Sequence, residues 1–127
     1  MSNLGDSFLW SCKSTYLKGL HPFDNVDTQE YKSIIETGKS LINERGLQDF
    51  LGFLMEGQYY IQLWAAIIAL EYGDIQKEEK LKYNSSKTVL ECCLSEVEKY
   101  ITHSKNTDFK KNGELWLEKI LMRYKIN

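Results

Sequence analysis

Between Ile61 and Leu70 the chain reads IQLWAAIIAL, with an apolar side chain at every position except Gln62. A helix of this composition has no polar face to turn toward water, so it is stable only where other elements surround it. The stretch is far shorter than the ~20 residues a bilayer span requires. It reads as a buried core helix, and the rest of the chain has to supply its cover. With 127 residues, 43% of them apolar, there is material for one core and little room for a second, so a single helical domain over residues 1–127 is expected. One Pro and eight Gly, with long stretches free of both, argue against a small all-β domain with its frequent turns.

The cover is legible as amphipathic segments. From Leu4, apolar Phe8, Cys12, Tyr16 and Leu20, widened by Leu9 and Leu17, predict a first helix ended by His21 and Pro22. A second opens at Asp27, three residues before Glu30 in the spacing of a capping box. It turns Tyr31, Ile34, Ile35, Gly38, Leu41 and Ile42 inward, with Arg45 in its last turn and Gly46 in the left-handed C′ position. A short helix from Leu47 to about Met55 buries Leu47, Phe50, Leu51 and Leu54, and Gly57 closes it. In the central helix Ala65, Ala66 and Ala69 let neighbouring backbones come close, and Gly73 terminates it. Residues 74–86, DIQKEEKLKYNSS, have no period and read as a loop whose Asn84, Ser85 or Ser86 caps the next helix. That helix buries Leu90, Cys93, Leu94, Val97, Tyr100 and Ile101 and ends near His103, and a last helix turns Leu117, Ile120, Leu121 and Tyr124 inward with Trp116 at its flank. No segment alternates as a strand does. The expected fold is all-α, about six helices in antiparallel pairs.

The residues argue against most catalytic chemistry. His21 and His103 are the only histidines and neither lies in a metal-ligand spacing, so no metal is expected. Cys12, Cys92 and Cys93 cannot all pair within the chain, and Cys92 and Cys93 read as small buried apolar residues in a reducing compartment. Phosphate-cradling glycine loops and the serine elbow are absent, so no cofactor and no enzymatic activity are expected. The opening MSNLGDSFLW carries Asp6 and no Lys or Arg before Lys13, unlike a secretory signal, which leads to the expectation of a cytoplasmic protein with no membrane partner.

Charge is more informative in its distribution than in its total of −2. Residues 44–79 hold seven acids and two bases, a balance of −5, whereas residues 80–127 hold ten bases and six acids, a balance of +4. The net charge and the near absence of Arg disfavour nucleic acid as a partner. Glu56, Glu71, Asp74, Glu78 and Glu79, with Tyr59 and Tyr72, form a candidate docking face for a basic protein.

The short helix followed by Ile61, Gln62, Leu63, Trp64, Ala65, Ala66, then Ala69 and Leu70, resembles the second-helix signature of a HEAT-like repeat, in which an Ala pair fits where helices cross. More closely, it is similar to a family of small bacterial helical proteins with a V-R-x-W-A-A core motif, over residues 8–124. One departure is Gln62 at the Arg position, which puts in question the ion pair that ties adjacent HEAT turns. The resemblance implies a HEAT-like short solenoid or helical bundle. Several HEAT-like proteins of this size resemble immunity proteins, so it also implies a cytosolic inhibitor that binds a cognate bacterial toxin and occludes a basic active-site cleft. The alternative is a small helical adaptor or regulator that binds another protein or nucleic acid.

Overall fold

The computed structural model describes residues 4–24, 27–82 and 84–126. Residues 1–3 of the opening MSNLGDSFLW lie outside these, as do the side chains of Asn84 and Ser85 proposed as caps. The architecture is an all-α, bundle-like fold: α1 (Leu4–Leu17), α2 (Gln29–Arg45), α3 (Leu47–Phe50) running into a 3-10 turn (Leu51–Met55), α4 (Ile61–Tyr72), α5 (Val89–His103) and α6 (Thr107–Arg123). One small antiparallel hairpin, β1 (Lys80–Leu81) and β2 (Asn84–Thr88), interrupts it.

The apolar run of α4 is buried as its composition demands. Ile61 and every residue from Leu63 to Leu70 are buried, and α1, α2, α5 and the 3-10 turn pack around them. Elements adjacent in sequence also pack in space: α1 on α2, the 3-10 turn on α4, and α5 on α6. Trp64 lies fully buried with its ring edge-on to Tyr31, centroids 5.1 Å apart. The three alanines of α4 are fully buried, and glycines on neighbouring helices also make room for close packing. A Cβ at Gly38 of α2 would lie 2.6 Å from Cδ1 and 3.1 Å from Cγ2 of Ile68, so any side chain there would force Ile68 of α4 to shift. The same holds for Gly113 of α6, where a Cβ would come within 2.8 Å of Ile101 Cγ1 on α5.

Polar ties complete the seating of α4. The Gln62 amide donates to the Leu54 carbonyl (2.8 Å) and accepts from the Tyr100 hydroxyl (3.3 Å), joining α4 to the 3-10 turn and to α5. Gln62 is thus a neutral amide with partners on two elements. At the other end α6 covers the unpaired carbonyls: the Tyr124 hydroxyl donates to Leu70 O (2.7 Å) and the Arg123 guanidinium to Glu71 O (2.9 Å).

Several element ends differ from expectation. Helix α1 stops at Leu17, not at His21 and Pro22. Gly19 at φ 76° ends it in a Schellman arrangement, with Leu20 N–H donating to Thr15 O and Gly19 N–H to Tyr16 O. The cap of α2 is Thr28, whose hydroxyl accepts from Tyr31 N, in place of Asp27. Gly46 has positive φ, but with ψ 159° it lies in an extended region open essentially to glycine alone, not in the left-handed helical one. Gly73 closes α4 at ordinary φ, and its lack of a side chain is steric: a Cβ would meet Leu47 Cδ1 at 2.9 Å. Part of the segment read as loop is the hairpin. Gln48 clamps it to α3, its amide donating to Glu79 Oε2 and Lys80 O and accepting from Lys82 N. The cap of α5 is then Thr88, at the end of β2, in a reciprocal capping box with Glu91.

The α2–α4 crossing yields a test. Gly38→Ala gains about 1 kcal/mol of helix propensity but overpacks Ile68, which costs about 1–3 kcal/mol, so the variant is expected to be less stable. Removing the Ile68 Cδ1 that a Cβ would strike reverses part of this. In denaturant melts the Gly38→Ala loss is expected to shrink in an Ile68→Val background, giving a positive coupling in the double-mutant cycle.

Candidate functional site

Helix α1 carries two apolar faces. Gly5, Phe8, Cys12 and Thr15 point into the core, while Trp10 and Leu17, one heptad apart, lie on the opposite side and are each 68% exposed. Tyr16, assigned to the core from its spacing, is 45% exposed. Its ring leans edge-on against Tyr59 and Tyr60, both with centroids 5.4 Å away. Lys13 sits between the two ends of this patch, its ammonium 6.0 Å from the Trp10 ring centroid and 5.8 Å from that of Tyr59. Asp6, Leu9, Trp10, Lys13, Glu56 and Tyr59 line a depression of about 290 Å³. Met55, at the end of the 3-10 turn beside Glu56, is also strongly exposed.

The backbone that presents Tyr59 is strained. Ile61 N–H donates to Gln58 O (2.9 Å) across a tight turn whose central residues, Tyr59 (φ 52°) and Tyr60 (φ 61°), both have positive φ. Turns of that kind are dominated by Gly, Asn and Asp, and a side chain in the left-handed region costs about 1–2 kcal/mol per residue. Gly57, expected to close the preceding helix, is not where the positive φ falls. Side-chain packing holds the turn: besides Tyr16, Tyr60 contacts Tyr100 (5.8 Å), His21 (5.8 Å) and Phe109 (6.3 Å). Burial pushes the Tyr60 phenol above its ordinary range. Non-glycine strain of this kind clusters at binding sites.

The seven side chains singled out from the sequence fall at separate places. Glu56 and Tyr59 belong to the depression beside Trp10, before α4 begins. Glu71, Tyr72 and Asp74 lie at the far end of α4, about 15 Å of helix rise away. Glu78 is exposed ahead of the hairpin, and Glu79 accepts from Gln48. Glu71 is half-buried and accepts from the Trp116 indole, which makes it part of the α4–α6 contact. Tyr72 stands 42% exposed with the Lys39 ammonium 4.8 Å from its ring centroid, and burial followed by the Glu71 carboxylate pushes its phenol up. The set therefore does not form one contiguous face. Trp10, Lys13, Tyr16, Leu17 and Met55 were not among it. The heptad spacing of Trp10 and Leu17 was the available signal for the first of these.

Among the described residues no three His, Cys, Asp or Glu side chains gather where a metal ion could be held, and no helix is long and apolar enough to cross a membrane. Cys12 and Cys93 are buried and Cys92 is half-buried, and burial raises all three thiols above their ordinary range. Compared with family models, with curated proteins and with solved structures, the chain matches none of them.

Three outcomes follow from this geometry. Tyr59→Asn exchanges one ring contact for a residue that tolerates positive φ, terms of about 0.5–1.5 and about 1 kcal/mol, so its stability should stay within about 1 kcal/mol of wild type. Tyr60→Ala keeps the strain and loses several ring contacts, and should cost about 2 kcal/mol or more in the same melts. In the native protein at pH 8, iodoacetamide followed by mass spectrometry should label Cys92 first and leave Cys12 and Cys93 unmodified until the chain is unfolded.

Proposed function

We propose that the chain is an immunity protein, a non-catalytic helical inhibitor that acts in the bacterial cytosol by binding the catalytic domain of a cognate toxin. Its docking face in this reading is the aromatic patch of α1 and the strained turn, with Trp10 and Tyr59 as anchors. The exposed Trp10 carries the proposal: a tryptophan left 68% exposed beside a tyrosine whose backbone the turn already fixes costs solvation that packing of the core does not require. Trp and Tyr are the residue types that most often dominate binding energy when a partner buries them.

The resemblance to HEAT-like immunity proteins supports the choice of partner, and the local charge supports its sign. Glu56 lines the patch, and Asp49, Asp74 and Glu78 are exposed elsewhere in the acidic segment 44–79. A nuclease toxin needs a cationic cleft for its substrate, so such a field favours encounter. Glu71 and Glu79 serve internal hydrogen bonds and contribute to the fold in this reading.

Co-expression with the product of the gene immediately upstream tests the proposal. Wild-type protein should protect cells from that product. Trp10→Ala should weaken the complex by about 2–4 kcal/mol, on the order of 30- to 1,000-fold in Kd, with a correspondingly weaker protection. Glu56→Lys should slow association and make the rate less sensitive to salt while leaving the fold intact. If the upstream product is harmless, or cells die equally with and without this protein, the immunity reading is wrong. If Trp10→Ala protects as well as wild type, the docking face lies elsewhere.

A further inference from the structure

The position of Lys13 carries an inference that rests on the docking reading above and names the chemistry of the group that docks. Its half-buried side chain lays an ammonium against two aromatic rings at once, at 6.0 and 5.8 Å from their centroids. The same depression is lined by two carboxylate side chains, Asp6 and Glu56. Two negative π faces and two acidic side chains around one concavity make a local environment that favours a cation. Lys13 meets that preference from within the chain. Its hold is loose, because a lysine stem loses rotamer freedom to stay there and both distances sit at the outer limit of a cation–π contact.

We propose that the depression between Trp10 and Tyr59 is a recognition site for an arginine side chain of the partner, and that Lys13 occupies it only in the free protein. Arginine fits better than lysine for two reasons. Its planar guanidinium stacks on aromatic faces, and its fork of donors reaches a carboxylate such as Glu56 while it stacks. Docking then swings Lys13 outward, where its charge remains solvated. The acidic surroundings and the basic cleft expected of the partner are complementary in this arrangement, whereas a partner carboxylate would meet Asp6 and Glu56 at close range.

The test uses the full chain and a synthetic eight-residue peptide of alternating Arg and Ser. Controls are the same peptide with citrulline, the neutral isostere of arginine, and with Glu in place of Arg. The readout is the indole N–H signal of Trp10 in NMR titrations, separable from those of Trp64 and Trp116. The Arg peptide should shift the Trp10 signal and the citrulline and Glu peptides should not. Lys13→Gln should bind the Arg peptide about three- to tenfold more tightly, as expected for removing a competing cation. Lys32→Gln, which deletes the same charge from an exposed position on α2, should change it by less than about twofold, the size of a screened long-range effect. Glu56→Gln should weaken binding. Equal shifts with the citrulline peptide, unchanged or weaker binding by Lys13→Gln, or a Trp10 response to the Glu peptide abolished by Lys13→Gln would each overturn the proposal. Failure here with protection still lost in Trp10→Ala removes the arginine and keeps the docking face. Protection retained in Trp10→Ala removes the face itself.

Discussion

The fold depends on burying a helix that has no polar side to offer. Nine residues of α4 are buried and its first polar side chain, Gln62, is used for hydrogen bonds to two neighbouring elements. Helices α1, α2 and α5 and the 3-10 turn pack around it to meet that requirement. Gly38 of α2 leaves room for Ile68 at the crossing, and Arg123 and Tyr124 at the end of α6 supply donors to the last carbonyls of α4, Glu71 O and Leu70 O. Glu71 belongs to the same closure. Its side chain accepts from Trp116 while its backbone carbonyl accepts from Arg123, so an acid that looks like surface charge in the sequence is one of the fastenings of α4 to α6.

The strained turn before α4 follows from the same packing. The chain has to leave the 3-10 turn and enter α4 within five residues, and Gln62 fixes the distance by holding Leu54 O. Tyr60 then becomes a structural side chain, surrounded by rings from α1, α5 and α6, whereas Tyr59, also half-buried, meets Tyr16 and Lys13 of α1. Neighbouring residues of one turn thus carry different tasks. The core supplies the energy that keeps both in the left-handed region, and the surface patch receives a tyrosine whose backbone is already ordered before any partner arrives. Such preorganisation lowers the entropy lost on binding.

The helices were legible because their periodicity is strong, and α4 because its composition admits one environment. The first helix shows where that reading fails. Phe8, Cys12, Tyr16 and Leu20 are spaced by four, and each step of four advances about 40° beyond a full turn, so the row walks off the buried face. The core keeps to Gly5, Phe8, Cys12 and Thr15, which alternate steps of three and four, and Tyr16 and Leu17 are left outside. The hairpin could not be found by alternation, since β1 has two residues and only Leu81 of them is buried; a long-range clamp from Gln48 sets it in place. The Thr88 cap was readable, as Thr-x-x-Glu before an apolar run, but lay behind more polar candidates. The candidate site was only half legible: Glu56 and Tyr59 were seen, while Trp10 and Lys13 join them through a contact between α1 and the turn that no local pattern encodes.

The separation of the acidic residues also changes what they can do. Contacts at one interface patch require side chains within a few ångströms of one another, and about 15 Å of α4 divides Glu56 from Glu71 and its neighbours. Long-range attraction has no such requirement. At physiological ionic strength the screening length is about 8 Å, so on the proposed reading the exposed acids of residues 44–79 act on a basic partner mainly where it passes close to them or where salt is low. The aromatic patch acts at the opposite range, since burying Trp10 and Tyr59 contributes only once water has been expelled. The division predicts different kinetic signatures for the two groups. In low salt, charge at Asp74 or Glu78 should add to the association rate of the proposed complex, an effect lost at physiological ionic strength, and the rings of Trp10 and Tyr59 should govern its dissociation.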